Sequence, residues 1–113
     1  MPSSASRTEI AESIYRAFAA GEREVVEKTF APDLAFHSPP DPELDRDGYF
    51  ERCWPGSGNN TEFEFVRAIE SGDEVVVTYE ATRVDGSRFR NTEVLTFAGE
   101  RIAEVEVYFG WDL

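Results

Sequence analysis

The chain has one histidine, His37, and so one side chain whose ordinary pKa lies near neutrality. It stands in the run His37-Ser38-Pro39-Pro40, where a strand is expected to give way to a loop. There it can act as a general acid or base, oriented by Glu93 or Asp41. The alternative is a wall or surface histidine that donates to a loop carbonyl. Glu93 is the second candidate. A buried carboxyl with a raised pKa can donate a hydrogen bond to a developing oxyanion. Paired with Arg16 or Arg90, it would be structural instead. No Ser-His-Asp pattern is present, and Ser38 beside His37 is no evidence of a triad. The one cysteine, Cys53, has nothing in the sequence around it that would lower its pKa, and it reads as a packed residue.

Turn signals place further polar groups relative to Glu93. Asp85-Gly86 reads as a two-residue hairpin turn. It would pair Thr82 with Phe89, Glu80 with Asn91, and Thr78 with Glu93. Paired residues share a face, so Thr78, Glu80, Asn91 and Glu93 would cluster on one side. Val75, Val77, Tyr79, Ala81 and Val94 would lie on the other. Hydropathy alone would turn that apolar set toward the core instead. A two-residue turn at Gly99-Glu100 would pair Glu93 with Glu106 and Leu95 with Glu104, stacking three acids where like charges repel. Only a hard cation such as Mg²⁺ would justify that patch, and no recognised ligand spacing supports one. A bulge in one strand removes the conflict and turns Val105, Val107 and Phe109 inward. No metal and no cofactor are expected.

The elements that must hold these groups follow from periodicity. Ser6 or Thr8 caps a first helix, with Ile10, Ile14, Ala17 and Phe18 at helical spacing and Gly21 at its end. Val25, Val26 and Phe30 mark a second helix, stopped by Pro32. Leu34 to Phe36 is a short strand. Ser38 to Asp47 holds three prolines and four acids and reads as a loop. Asp45 or Asp47 caps a third helix through Tyr49, Phe50, Cys53 and Trp54, which Pro55-Gly56 ends. Four strands follow, at Glu62 to Glu70, Glu74 to Val84, Arg88 to Phe97 and Arg101 to Phe109. Helices first and a curved antiparallel sheet last make an α+β cone in which three N-terminal helices cover the hollow of the sheet.

With 113 residues, the chain is expected to be one domain over residues 8–113, with residues 1–7 a frayed or disordered lead-in. The net charge is −12, from 23 acids against 11 Lys plus Arg. That balance disfavours nucleic-acid backbones and anionic membranes as partners. The lead-in lacks the apolar run of a signal peptide, and a single cysteine permits no internal disulfide. The expected location is the cytoplasm.

The stretch from Ile10 to Phe109 resembles the nuclear transport factor 2-like superfamily, and within it the SnoaL-like and ketosteroid-isomerase-like branch. Tyr15-Arg16-Ala17-Phe18-Ala19-Ala20-Gly21 and Phe30-Ala31-Pro32-Asp33-Leu34-Ala35-Phe36-His37 carry the likeness, together with Glu93 to Ile102. The resemblance implies a cystatin-like roll with a pocket. It also implies that Glu93 faces the hollow, matching a carboxylic acid that donates to an oxyanion in the steroid isomerases. Their oxyanion tyrosine falls at Ile14, beside Tyr15. Their general base falls at Ser38, which carries no carboxylate, so steroid isomerisation itself is disfavoured. The family includes isomerases, cyclases, dehydratases and non-catalytic modules, and the fold alone does not choose among them.

Two readings stay open. One is acid–base chemistry of isomerase, cyclase or dehydratase type on a small carbonyl compound, with His37 moving the proton while Glu93 and Asn91 hold the oxygen. The other is a ligand-binding or oligomerisation module. Either way, the expected ligand is a small apolar molecule with a polar group. Tyr15, Trp54, Glu80, Asn91, Val107 and Phe109 are its expected contacts. An outer sheet face bearing Val75, Val77, Tyr79 and Val94 would be too apolar for water, and a homodimer would cover it.

Overall fold

A computed structural model describes residues 6–113. Three helices, α1 (Arg7–Ala20), α2 (Arg23–Thr29) and α3 (Arg46–Arg52), precede or interrupt five strands. The strands are β1 (Phe30–His37), β2 (Asn60–Ser71), β3 (Glu74–Arg83), β4 (Arg88–Ala98) and β5 (Arg101–Asp112). The sheet order is β1-β5-β4-β3-β2. β2 to β5 are antiparallel, while β1 joins β5 in parallel. The helices cover one face of the curved sheet, as the α+β cone requires. No described helix is long and apolar enough to cross a membrane.

Ser6 caps α1 in a reciprocal box: its hydroxyl accepts from the Glu9 amide, and Glu9 accepts from the Ser6 amide. Ser6 and Arg7 are therefore ordered parts of the helix and its cap, whereas residues 1–5 of the expected lead-in lie outside the described residues. Arg7 donates to the Gly99 and Gly72 carbonyls. These carbonyls sit in the β4–β5 and β2–β3 turns, so one guanidinium ties the start of α1 to two hairpin ends. Gly21 closes α1 with φ +73°, a left-handed conformation that glycine adopts without strain.

Phe30 opens β1 rather than ending α2. Pro32 lies inside that strand, which an edge position tolerates because a missing N–H need not face a partner. The proline loop folds back as a tight unit. Phe36 and Leu44 exchange both backbone bonds at 2.8 Å, and Ser38 and Asp41 bond across the turn at 2.9 and 3.1 Å.

The β3–β4 register differs from the two-residue turn by one position. Arg83 and Ser87 close the loop, with the Arg83 amide donating to the Ser87 carbonyl at 2.8 Å and Gly86 at φ +89°. This is a three-residue loop ending in a left-handed glycine. Tyr79 now opposes Asn91, Val77 opposes Glu93, and Thr78 opposes Thr92. A one-residue slip exchanges the two faces of a strand. Val75, Val77, Tyr79 and Ala81 therefore face the core, fully or almost fully buried. Thr78 and Glu80 leave the predicted polar cluster for the opposite face. Val94 pairs with Val76 and so lies on the face opposite to Val75, Val77 and Tyr79 rather than beside them. The apolar outer face from which a homodimer was expected is not built from Val75, Val77 and Tyr79. That face instead carries Arg67 on Thr78, Thr78 on Thr92, and Glu80 held by Arg88 and Arg90.

The bulge in the last hairpin forms as expected. The register shifts between Thr96 and Phe97, so Glu93 opposes Val107 and Leu95 opposes Val105. The three acids do not stack. A second irregularity lies near the end of β5, between the pairs Asn91–Phe109 and Phe89–Asp112. Gly110 sits there with its α-carbon against the Arg90 backbone carbonyl, leaving no room for a Cβ. Gly110→Ala should lower unfolding stability by about 1–3 kcal/mol, as overpacking against immovable backbone does. Denaturant melts check this, and a variant as stable as the parent would contradict the close approach.

Candidate functional site

The hollow encloses a cavity of about 240 Å³ between α1, α3 and the sheet. That is smaller than the ~300–1,000 Å³ of typical drug-sized pockets, which limits the occupant to a small molecule. Its wall is mostly apolar, with Phe63 from β2 and Val105, Val107 and Phe109 from β5. Val107 and Phe109 thus face the hollow.

Glu93 lines this cavity and is 9% exposed. Its two oxygens are held separately. The Tyr15 hydroxyl donates to Oε1 at 3.0 Å, and the Tyr79 hydroxyl donates to Oε2 at 2.7 Å. Tyr15 comes from α1 and Tyr79 from β3, with ring centroids 5.1 Å apart and Phe63 packed against both. Asn91 completes the chain. The Gly110 amide can only donate, at 3.3 Å, so it must meet Asn91 Oδ1. The Asn91 amino group then faces the Tyr79 hydroxyl at 3.4 Å. The result is a one-way series of donors: Asn91 to Tyr79, and Tyr79 to Glu93.

Burial raises the Glu93 pKa above its ordinary value, while the hydrogen bonds from Tyr79 and then Tyr15 oppose the rise. Burial likewise pushes Tyr15 and Tyr79 up, and the neighbouring Glu93 adds to it. A carboxyl in this setting favours the protonated form, because an unpaired charge away from water is costly. Cys53 also lines the cavity. Its thiol is pushed up to about 11, chiefly by burial, which leaves it protonated and unreactive at neutral pH.

The proline loop contributes Ser38, Pro40 and Asp41 to the cavity wall. Asp41 accepts from Arg52 Nε at 2.7 Å, and its side chain is 17% exposed against 59% for the arginine. Besides Glu93, it is the one carboxylate lining this cavity.

His37 does not join the site. It points to the far side of the sheet, where Nδ1 meets the Pro42 carbonyl at 2.7 Å and Nε2 meets Glu104 at 3.0 Å. Both partners are acceptors, so only the doubly protonated ring satisfies both. The Pro42 bond is the main cause of its raised pKa, with Glu104 and Glu106 adding to it against desolvation. The expected His37–Glu93 pair is therefore replaced by two separate pairings. Trp54 packs edge-on against Phe18 and beside Phe50 and does not line the cavity. Glu80 faces outward in its arginine clamp. Tyr79, absent from the expected contacts, is central. The alternation Val75, Val77, Tyr79, Ala81 was the signal that could have found it. No group of three or more His, Cys, Asp or Glu among the described residues is placed to hold a metal ion.

A raised histidine pKa contributes stability that is complete below its ordinary value and is lost as pH rises through the folded value. NMR titration of the His37 ring should give a pKa above about 6.5. Glu104→Gln should lower that value, and Glu93→Gln should leave it unchanged. A response to Glu93→Gln alone would contradict the geometry.

Comparison with known proteins follows the same lines. A model of the SnoaL-like domain matches residues 11–105. No curated protein sequence matches the chain. Among solved structures, a nuclear transport factor 2-like protein of unknown function from Burkholderia xenovorans LB400 is similar at 16% identity and a TM-score of 0.80, covering 95% of this chain and 84% of its own. A candidate ketosteroid isomerase from Kribbella flavida DSM 17836 gives 14% and 0.77, with 92% and 77% covered. A candidate polyketide cyclase from Sinorhizobium meliloti gives 20% and 0.73, with 88% and 93% covered. At these identities the likeness shows the fold alone. The match over residues 11–105 nevertheless spans most of the chain, which belongs to the SnoaL-like domain family.

Proposed function

We propose that this protein binds a small, mostly apolar carbonyl compound and shifts a proton next to its carbonyl. The observation that carries the reading is the buried Glu93 carboxyl, with each oxygen on a different tyrosine hydroxyl, inside an apolar cavity.

The direction of the donors supplies the chemistry. Oε2 already accepts the Tyr79 proton, so a proton on neutral Glu93 sits on Oε1. From there it is donated to the Tyr15 oxygen, which reverses the bond that Tyr15 makes to the ionised carboxylate. The Tyr15 hydroxyl proton is then free to point into the cavity. A ligand oxygen would accept it, at the end of a series in which each bond polarises the next. As charge develops on that oxygen, the preset donor stabilises it without reorganisation. Asp41 is the group in the same wall that can take up a proton from the adjacent carbon. His37, expected from the sequence to do so, is engaged on the other side of the sheet.

A second reading, binding without turnover, has one observation in its favour. Arg52 donates to Asp41 Oδ1 at 2.7 Å, which engages one of the two oxygens that a base would use. One experiment separates the two. Propiophenone is titrated into the protein in deuterium oxide, and exchange of its α-protons is followed by proton NMR. The proposal expects saturable binding and accelerated exchange. Tyr15→Phe should weaken binding by about five- to tenfold, the scale of one neutral hydrogen bond. Asp41→Asn should slow exchange by about a hundredfold or more while binding persists. Binding with no exchange above the solvent rate would leave the binding module as the reading, and no binding would remove both.

A further inference from the structure

A second cavity, of about 550 Å³, opens beside the first, and Phe18, Asn60 and Phe109 line both. Asn91 lines the outer one while its amino group faces Tyr79 of the inner one. The two chambers therefore adjoin along these shared residues.

The outer chamber differs in charge from the rest of the chain. The protein has 23 acids against 11 Lys plus Arg, yet this wall carries Arg83, Arg90 and a single acid, Asp112. Arg90 is matched on the outer face by Glu80. Arg83 is in a different state. Its guanidinium lies over the Phe89 ring at 4.2 Å, and Nη1 donates to the Ser87 hydroxyl at 3.1 Å. It makes no ion pair among the described residues. Asp85 senses its charge, but that carboxylate is bonded to the Ser87 amide and hydroxyl instead. A stacked guanidinium is preorganised, and its planar fork fits a carboxylate. Arg83 also lies four residues beyond Tyr79 on β3, a span of about 13 Å along the strand.

We infer that the outer chamber is a carboxylate subsite, in which Arg83 receives the acidic group of the same ligand whose carbonyl lies on Tyr15. This rests on the carbonyl reading of the inner cavity and adds the ligand's class: a keto acid with an apolar body. The single fork and the strongly negative chain favour a monoanion over a more highly charged group.

Calorimetric titration with a homologous series of ω-benzoylalkanoic acids and their methyl esters tests this. At the matching chain length the acid should bind about ten- to a hundredfold more tightly than its ester, the range of a charge-assisted hydrogen bond. Arg83→Gln should bring the acid down to the affinity of the ester, and Arg83→Lys should retain part of the preference. Acid and ester binding alike would overturn the subsite and leave the inner pocket standing. An acid preference that survives Arg83→Gln would overturn the assignment to Arg83. Failure of the whole series to bind would overturn the subsite together with the reading on which it rests.

Discussion

Everything in this fold turns on one carboxyl group kept away from water. A buried acid is tolerated only with its hydrogen-bonding capacity met, and meeting it draws on three separate parts of the chain. Tyr15 must arrive from α1 and Tyr79 from β3, while Asn91 must be steered by Gly110 of β5. The Ser6–Glu9 cap and the Arg7 ties to two hairpin turns set where α1 lies over the sheet. The bulge in the β4–β5 pairing keeps Glu106 from facing Glu93 and sets Val107 there instead. Capping, curvature and register thus serve a single polar cluster in an otherwise apolar hollow.

The energetics of that cluster run against stability at the pH where exposed carboxyls are ionised. With its pKa raised by burial, the Glu93 contribution is most favourable below the ordinary carboxylate value and declines as pH rises toward the folded one. A leucine of similar size would need no partners. On the proposed function the acid has a use that a leucine lacks: its proton would orient the Tyr15 hydroxyl toward a ligand oxygen. Local departure from the most stable solution at a cavity wall is the usual mark of a site. The outward pairs around His37 and Glu80 show no such tension. Each meets its charge on the solvent side of the sheet, where an ion pair contributes little and is screened by salt.

Much of the fold was legible because its signals are local. Gly21, the Asp45 cap and the apolar runs of β2 to β5 each report on their own segment. The Glu93–Glu106 conflict was legible too, since like charges across a ladder call for a bulge. The β3–β4 register was not, because Asp85-Gly86 fits both a two-residue turn and the end of a three-residue loop. That single position moved Tyr79 into the site and Glu80 out of it. Hydropathy held the answer: Val75, Val77, Tyr79 and Ala81 alternate as a core face does. The family likeness turns Glu93 inward, and of the groups expected around it Tyr15 and Asn91 join its network while His37, Thr78 and Glu80 do not. His37 and Asp41 are separated by only four positions, and the direction each takes depends on a proline loop whose path no periodicity encodes.

The most direct test is the protonation state of Glu93 itself. Carbon-13 labelling of glutamate side chains, with Glu93→Gln to assign the signal, would allow its carboxyl to be followed by NMR against pH. The account predicts that Glu93 remains protonated over the range in which the exposed glutamates have already ionised, and that Tyr15→Phe raises its pKa further by removing a donor to the charged form. A Glu93 signal that titrates together with the exposed glutamates would contradict the account, because the Tyr15 hydroxyl would then be fixed on a carboxylate and unavailable to a ligand.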